Sequence, residues 1–388
     1  MAGKIDVDAE IAALHAEATR RSGLADFGPE DYLAPLRMLV EAMNNVTTNE
    51  AGRAYWREEL VGTLIPRAAR ALGWQQHPEY RERKIAKPLV ICGVPRTGTT
   101  ALHKLMGVDP QFQGVENWLT AAPMPRPPRE TWGDDPNFLR AMRWLHTQHA
   151  ESPGVAIAHN VAADEIDEQL ELQRQSYVSN RWACTWYSPA YDAWWQSQDE
   201  RPSFLRELDL LRLIGCHDQR RWLLKNPGSI GMLGWWLEAV PDVCVIQTHR
   251  DPVKATASIS STLQHIHASF EGEAAERSRR LLGPRELEKW AGMLDKGEPH
   301  RAKHEDRFFD VHHADFHADP MGTIGRIYDR FGLHLSAEAE ARMAARIAEN
   351  PEGHGLHTYD LDSFGLERGM ILERYAPYIE RYGIAVGD

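Results

Sequence analysis

Positive charge is what this chain lacks for one large class of partners. Its 388 residues carry 44 Lys and Arg against 56 Asp and Glu, a net charge of −12. Nucleic-acid binding needs a basic face that neutralises phosphates, so no nucleic-acid partner is expected. A small anionic ligand stays allowed, because a few arginines suffice locally. Long apolar runs are missing as well. None approaches the roughly 20 residues of a membrane helix, so no membrane partner is expected. The first residues, Met1-Ala2-Gly3-Lys4-Ile5-Asp6, lack an apolar signal core. Cysteine is scarce, at four, with no CxxC pair. Cys92 and Cys244 fall in apolar, strand-like runs where a small buried thiol fits. These absences together describe a reduced, cytoplasmic protein, with 43% hydrophobic residues to build a sizeable core.

The richest stretch runs from Leu89 to Thr100 (LVICGVPRTGTT). A short apolar run ends in a glycine, passes through Pro95-Arg96-Thr97-Gly98, and opens into a helical pattern at Leu102, Leu105 and Met106. Strand, loop and helix in that order make a phosphate cradle, where backbone N–H groups and the helix dipole favour an anion. Gly93 and Gly98 keep the spacing of the nucleotide-binding loop GxxxxGK[ST]. Thr99 stands where that motif demands lysine, and Arg96 supplies a cation from inside the loop. Such a loop holds a phosphate-like anion without the lysine that serves the outer phosphates of ATP.

Residues 1–75 carry apolar positions at helical spacing, among them Leu14, Ala18, Leu36, Leu39, Val40 and Met43. The proline-rich piece 123–136 reads as a surface loop. Further strands are expected at Trp222-Leu223-Leu224 and Val243-Cys244-Val245-Ile246, with a helix through Met232 to Val240 between them. Helices separated by short apolar strands predict an α/β fold with a parallel sheet. The expected division is a helical N-terminal extension over 1–84 and an α/β domain over 85–388.

The third strand ends in His249-Arg250-Asp251-Pro252. Asp251 and Pro252 suit an N-cap and first helical turn. Ser258 follows two turns along, so a strand-end guanidinium and a helical hydroxyl can converge on a second oxyanion.

In its ordered motifs the chain resembles the sulfotransferase superfamily, in the bacterial branch with a Pro-Arg-[Ser/Thr]-Gly-Thr-Thr loop. Pro95-Arg96-Thr97-Gly98-Thr99-Thr100 looks like that family's loop for the 5′-phosphosulfate of 3′-phosphoadenosine 5′-phosphosulfate (PAPS). Leu224-Lys225-Asn226-Pro227 looks like its Leu-Lys-Ser-Pro strand end, and Arg250 with Ser258 like its 3′-phosphate site. The stretch Asp319 to Leu333 and the tail from His354 to Leu366 also match. The resemblance implies a P-loop-like three-layer α/β fold with a central, mainly parallel sheet flanked by helices. It also implies transfer of a sulfonate from PAPS to a hydroxyl or amine of a small organic acceptor, with adenosine 3′,5′-bisphosphate (PAP) as product. A sulfonate carries less charge than a γ-phosphate, so no metal is required. Lys225 resembles the family lysine that reaches the bridging oxygen or the sulfonate.

The general base is ambiguous. No histidine follows Lys225, which leaves His159, or Glu165 and Glu168 in an acidic stretch read as a helix start. Around Leu356 and Thr358 only His354 and His357 replace the basic residue many relatives use. Trp182, Trp186, Tyr187, Tyr191, Trp194 and Trp195 fill core for the most part, with one or two left to line a pocket for an apolar or aromatic acceptor. His103 reads as packed. The histidines between Val311 and His317 read as a strand or strand–helix junction rather than a metal site. Two alternatives remain: a P-loop kinase, disfavoured by Thr99, and a PAPS- or PAP-binding protein without turnover. A homodimer stays open, as does the N-terminal helices' part as lid or contact.

Overall fold

The structure is a computed structural model, and it describes residues 4–151, 161–349 and 360–387. Its described residues include seven strands: β1 Leu89–Gly93, β2 Phe112–Gln113, β3 Val115–Glu116, β4 Ile166–Asp167, β5 Arg221–Lys225, β6 Cys244–His249 and β7 Phe308–His312. The chain forms two compact units, each assembled from three stretches. One comprises Met1–Lys84, Val115–Gln219 and Leu263–Ser278, the other Ile85–Gly114, Arg220–Thr262 and Arg279–Asp388.

The first unit is mainly helical. Helix α1 (Val7–Ser22) starts where the Asp6 side chain accepts from the Ala9 N–H and ends at Gly23, whose φ of 72° suits a residue without a Cβ. Helices α2 (Leu33–Ala42) and α3 (Glu50–Gln76) follow, in line with the apolar periodicity. Leu14, Ala18, Leu36, Val40, Leu60 and Leu64 are buried together in this unit. Trp182, Trp186, Tyr191 and Trp195 are also buried, which settles most of the aromatic cluster as core, while Tyr187 and Trp194 are half-buried. The proline-rich piece carries one irregular helical segment, Arg129–Asp134.

One expectation fails here. Glu165 does not open a helix: Ile166–Asp167 is the strand β4, antiparallel to β3. The Asn117 and Trp118 N–H groups donate to the Glu165 and Ala163 carbonyls at 3.0 and 3.2 Å. Cross-strand pairing captures backbone groups that a first helical turn would have left open. The next helix starts only at Leu170.

The second unit holds a five-stranded sheet in the order β2-β5-β1-β6-β7, every pair parallel. β1 is buried at all five positions, as a central strand covered on both faces must be, and this explains its unbroken apolar run. Helix α4 (Thr99–Met106) leaves the end of β1 and the helix Pro252–Glu271 the end of β6. Asp251 caps the latter, its carboxylate accepting from the Val253 N–H at 2.9 Å. β7 has no strong sequence signal, since its half-buried Phe309, Asp310 and His312 break the apolar run. Its end at His312 and the helix from His313 make the histidine stretch a strand–helix junction. Among the described residues, no helix is long and apolar enough to cross a membrane.

Candidate active site

Parallel register sets the geometry at the carboxyl ends of the strands. Ile91 of β1 pairs with Lys225 of β5, and Gly93 pairs with Thr248 of β6. The strand order passes from one side of β1 to the other at this point, where α/β sheets form their ligand crevices.

The loop after β1 is fixed by close approach. A Cβ on Gly93 would lie 2.6 Å from the Thr248 carbonyl and 2.7 Å from its hydroxyl, so only glycine lets the loop rest on β6. Thr97 completes the join. Its hydroxyl donates to the Val94 carbonyl at 2.6 Å and meets the Thr248 hydroxyl at 2.5 Å. With its side chain buried, Thr97 can offer an anion only its backbone N–H. Pro95 and Thr99 are buried too, while Arg96 and Thr100 are exposed. Arg96 has φ +69° and Gly98 φ +99°. A left-handed arginine costs on the order of 1–2 kcal/mol, and such strain concentrates at ligand-binding turns. Alternating conformations of this kind aim successive N–H groups at one point, and α4 adds its own from Thr99.

The cations around the loop are linked to one another. Arg250 Nη1 donates to the Arg96 carbonyl at 2.8 Å, and Arg96 Nε donates to Ser258 Oγ at 3.1 Å. The two anion sites inferred separately are therefore one connected set. Lys225, only 2% exposed, donates to the Thr100 hydroxyl at 3.3 Å. A lysine from the neighbouring strand thus stands beside the loop that carries threonine at position 99. Next to Lys225, the buried Asn226 Nδ2 and Ser229 Oγ have no hydrogen-bond partner among the described residues.

Several contributors carry no sequence signal of their own. His313 packs against Gly98, its ring 3.5 Å from where a Cβ would stand. Burial, then the charges of Arg250, His317 and Lys254, push its pKa down to about 3, so it is neutral at pH 7. Beneath Arg250 lies a buried network. His249 Nε2 meets Asp310 at 2.7 Å, and two Arg301 nitrogens donate to the same carboxylate at 2.7 Å each. Burial raises the Asp310 carboxyl, but the His249 and Arg301 hydrogen bonds outweigh it and hold it well below the usual range. Burial lowers His249 despite Asp310, and its ring stacks on Tyr382 at 4.2 Å. This network fixes the end of β6 from which Arg250 projects. His103 is buried as expected; burial and the charge of Lys225 keep it well below its ordinary pKa.

Of the candidate bases, Glu165 and Glu168 are half-buried and belong to the other unit. His159 lies outside the described residues, as do His354 and His357.

The donor set fits a nucleotide with anionic groups at two positions. It offers loop and helix amides, Arg96, Lys225 with Thr100, and Arg250 with Ser258. The comparisons agree with that chemistry. The family model described as "Sulfotransferase family" matches residues 88–337. The crystal structure of sulfotransferase STF1 from Mycobacterium tuberculosis H37Rv is similar at 36% identity and TM-score 0.84, covering 95% of this chain and 98% of that one. The fold of sulfotransferase STF9 from Mycobacterium avium matches with TM-score 0.85 at 24% identity, covering 97% of each chain. The omega-hydroxy-beta-dihydromenaquinone-9 sulfotransferase Stf3 of Mycobacterium bovis is 24% identical over 84% of each chain.

Proposed function

The chain belongs to the sulfotransferase family and is an enzyme of sulfonate transfer; on that premise we propose that PAPS is its donor, held by residues 93–100, Lys225, Arg250 and Ser258. The observation that carries this reading is the pair of hydrogen bonds joining Arg250, Arg96 and Ser258. They link a strand-end cation to the cradle without any kinase-type lysine in the loop. The loop amides and Arg96 would hold the 5′-phosphosulfate, and Arg250 with Ser258 the 3′-phosphate. Lys225 would stabilise charge building on the bridging oxygen as the S–O bond breaks. The acceptor oxygen or nitrogen forms the new bond to sulfur, its proton passes to a base, and PAP leaves. His159, Glu165 and Glu168 remain the candidates for that base. In this scheme Arg96, Lys225 and Arg250 supply the positive charge, and no metal step is invoked.

The acceptor is proposed to be a small, largely apolar molecule bearing a hydroxyl. One supporting observation is that a relative carries an omega-hydroxy menaquinone in its name. A reduced, cytoplasmic setting suits the four free cysteines. The test is incubation with PAPS and a panel of phenols, prenyl alcohols and amines, followed by mass spectrometry. A product heavier by one sulfonate, formed together with PAP, is expected. PAP binding that survives unchanged in folded Arg96→Ala and Arg250→Ala variants would overturn the site.

A further inference from the structure

A second cluster stands in the first unit, at two turns that no part of the transfer chemistry uses. His77 ends α3, its N–H donating to the Gly73 carbonyl at 2.9 Å, and Pro78–Glu82 forms a short helical turn directly after it. Cys216 and His217 sit in the turn after the helix Arg201–Ile214. His77, Glu79 and His217 each present a ligand atom, and these atoms lie within 4.8 Å of one another.

We propose that His77, Glu79 and His217 form a binding site for a borderline transition-metal cation, with Zn²⁺ the best match. Two imidazoles and a carboxylate are zinc's ligand types, with a water left to complete the tetrahedron. Bonds of about 2.0–2.3 Å in a tetrahedron set ligand atoms roughly 3.4–3.7 Å apart. Reaching that spacing from 4.8 Å takes side-chain rotations, which the exposed Glu79 and His217 can make. The carboxylate offsets one of the ion's two charges.

The backbone under the cluster is already held. Arg83, one residue past the His77 turn, donates to the Asp218 carbonyl and to Gln219 Oε1. Asp218 also accepts from Arg126 at 2.8 Å. These bonds fix the two turns against each other and limit the ordering that an ion must impose. His77 meets Glu79 at 3.3 Å, and the His77 and His217 rings stand edge to face, 6.0 Å apart. A bound ion would join two segments far apart in sequence and stabilise this unit, independently of sulfonate transfer.

The test uses full-length protein stripped with a chelator. Calorimetric titration with Zn²⁺ should give one site per chain with micromolar or tighter affinity, and excess Mg²⁺ should not compete. Thermal midpoint should climb as Zn²⁺ is raised above Kd. Co²⁺ loading should show the intense visible bands of a four-coordinate site. The His77→Ala/His217→Ala double variant should bind at least 100-fold more weakly, with its metal-free melting point unchanged. Wild-type affinity in that folded double variant, or a cobalt spectrum of the weak octahedral aqua kind, would overturn the assignment.

Discussion

Replacing Lys225 with methionine separates chemistry from folding. The side chain is 2% exposed, and its ammonium donates to Thr100 at the mouth of the loop. In the role proposed for it, beside the breaking S–O bond, so dry a cation acts at low effective dielectric, and removing one such donor costs about 10²–10³ in kcat, or roughly 2.7–4 kcal/mol. Stability should respond in the opposite sense. Burying an ammonium is costly, whereas methionine has a similar length and no charge to desolvate. The lost bond to Thr100 is worth only about 0.5–1.5 kcal/mol net. The thermal midpoint should therefore stay level or rise, and PAP should bind within tenfold of wild type, because the phosphates keep the loop amides, Arg96 and Arg250. Steady-state turnover, PAP titration and melting curves on one preparation check all three. A folded Lys225→Met enzyme with kcat within fivefold of wild type would refute the role given to this lysine.

Ser258→Ala should weaken PAP binding by roughly tenfold, as expected for a lost hydrogen bond to a charged group, and Arg250→Ala by more than 100-fold. Because Arg250, Arg96 and Ser258 are hydrogen-bonded in series, a calorimetric Arg250/Ser258 double-mutant cycle should be non-additive. Gly93→Ala drives a Cβ to within 2.6 Å of the Thr248 carbonyl in the sheet interior, which should cost about 2–4 kcal/mol in urea unfolding. Glu207 is buried, and burial raises its pKa from 4.5 to about 8 despite a hydrogen bond from Gln173. The folded state then holds a proton that the unfolded chain releases above about 4.5. Stability is greatest below that pH, falls by up to about 1.4 kcal/mol per unit between 4.5 and 8, and levels off beyond. Glu207→Gln should remove this slope, so a variant with the wild-type dependence between pH 6 and 8 would contradict it.

The sequence by itself determined the features that rest on local physics. Apolar runs announced β1, the middle of β5 and the first part of β6, since strands covered on both faces favour such residues. Apolar spacing announced α1 to α3. The glycines, Arg96, and the Asp251-Pro252 helix start marked two anion-binding turns, and the ordered motifs through Lys225 and Arg250 pointed to sulfonate transfer. Only the tertiary structure decided what depends on residues distant in the chain. β2 is two residues long and β7 half-polar, so neither gains identity except by pairing with β5 and β6. Glu165 looked like a helix start, because the β3 backbone that captures it lies fifty residues earlier in the chain. Parallel register set Gly93 on Thr248 and brought Lys225 to Thr100, setting a lysine of the next strand beside the loop. It also merged the two anion sites through the Arg96 carbonyl, and assembled Arg301, Asp310 and His249 beneath Arg250. Spacing along a chain records which groups are near in sequence; pairing between strands decides which groups meet.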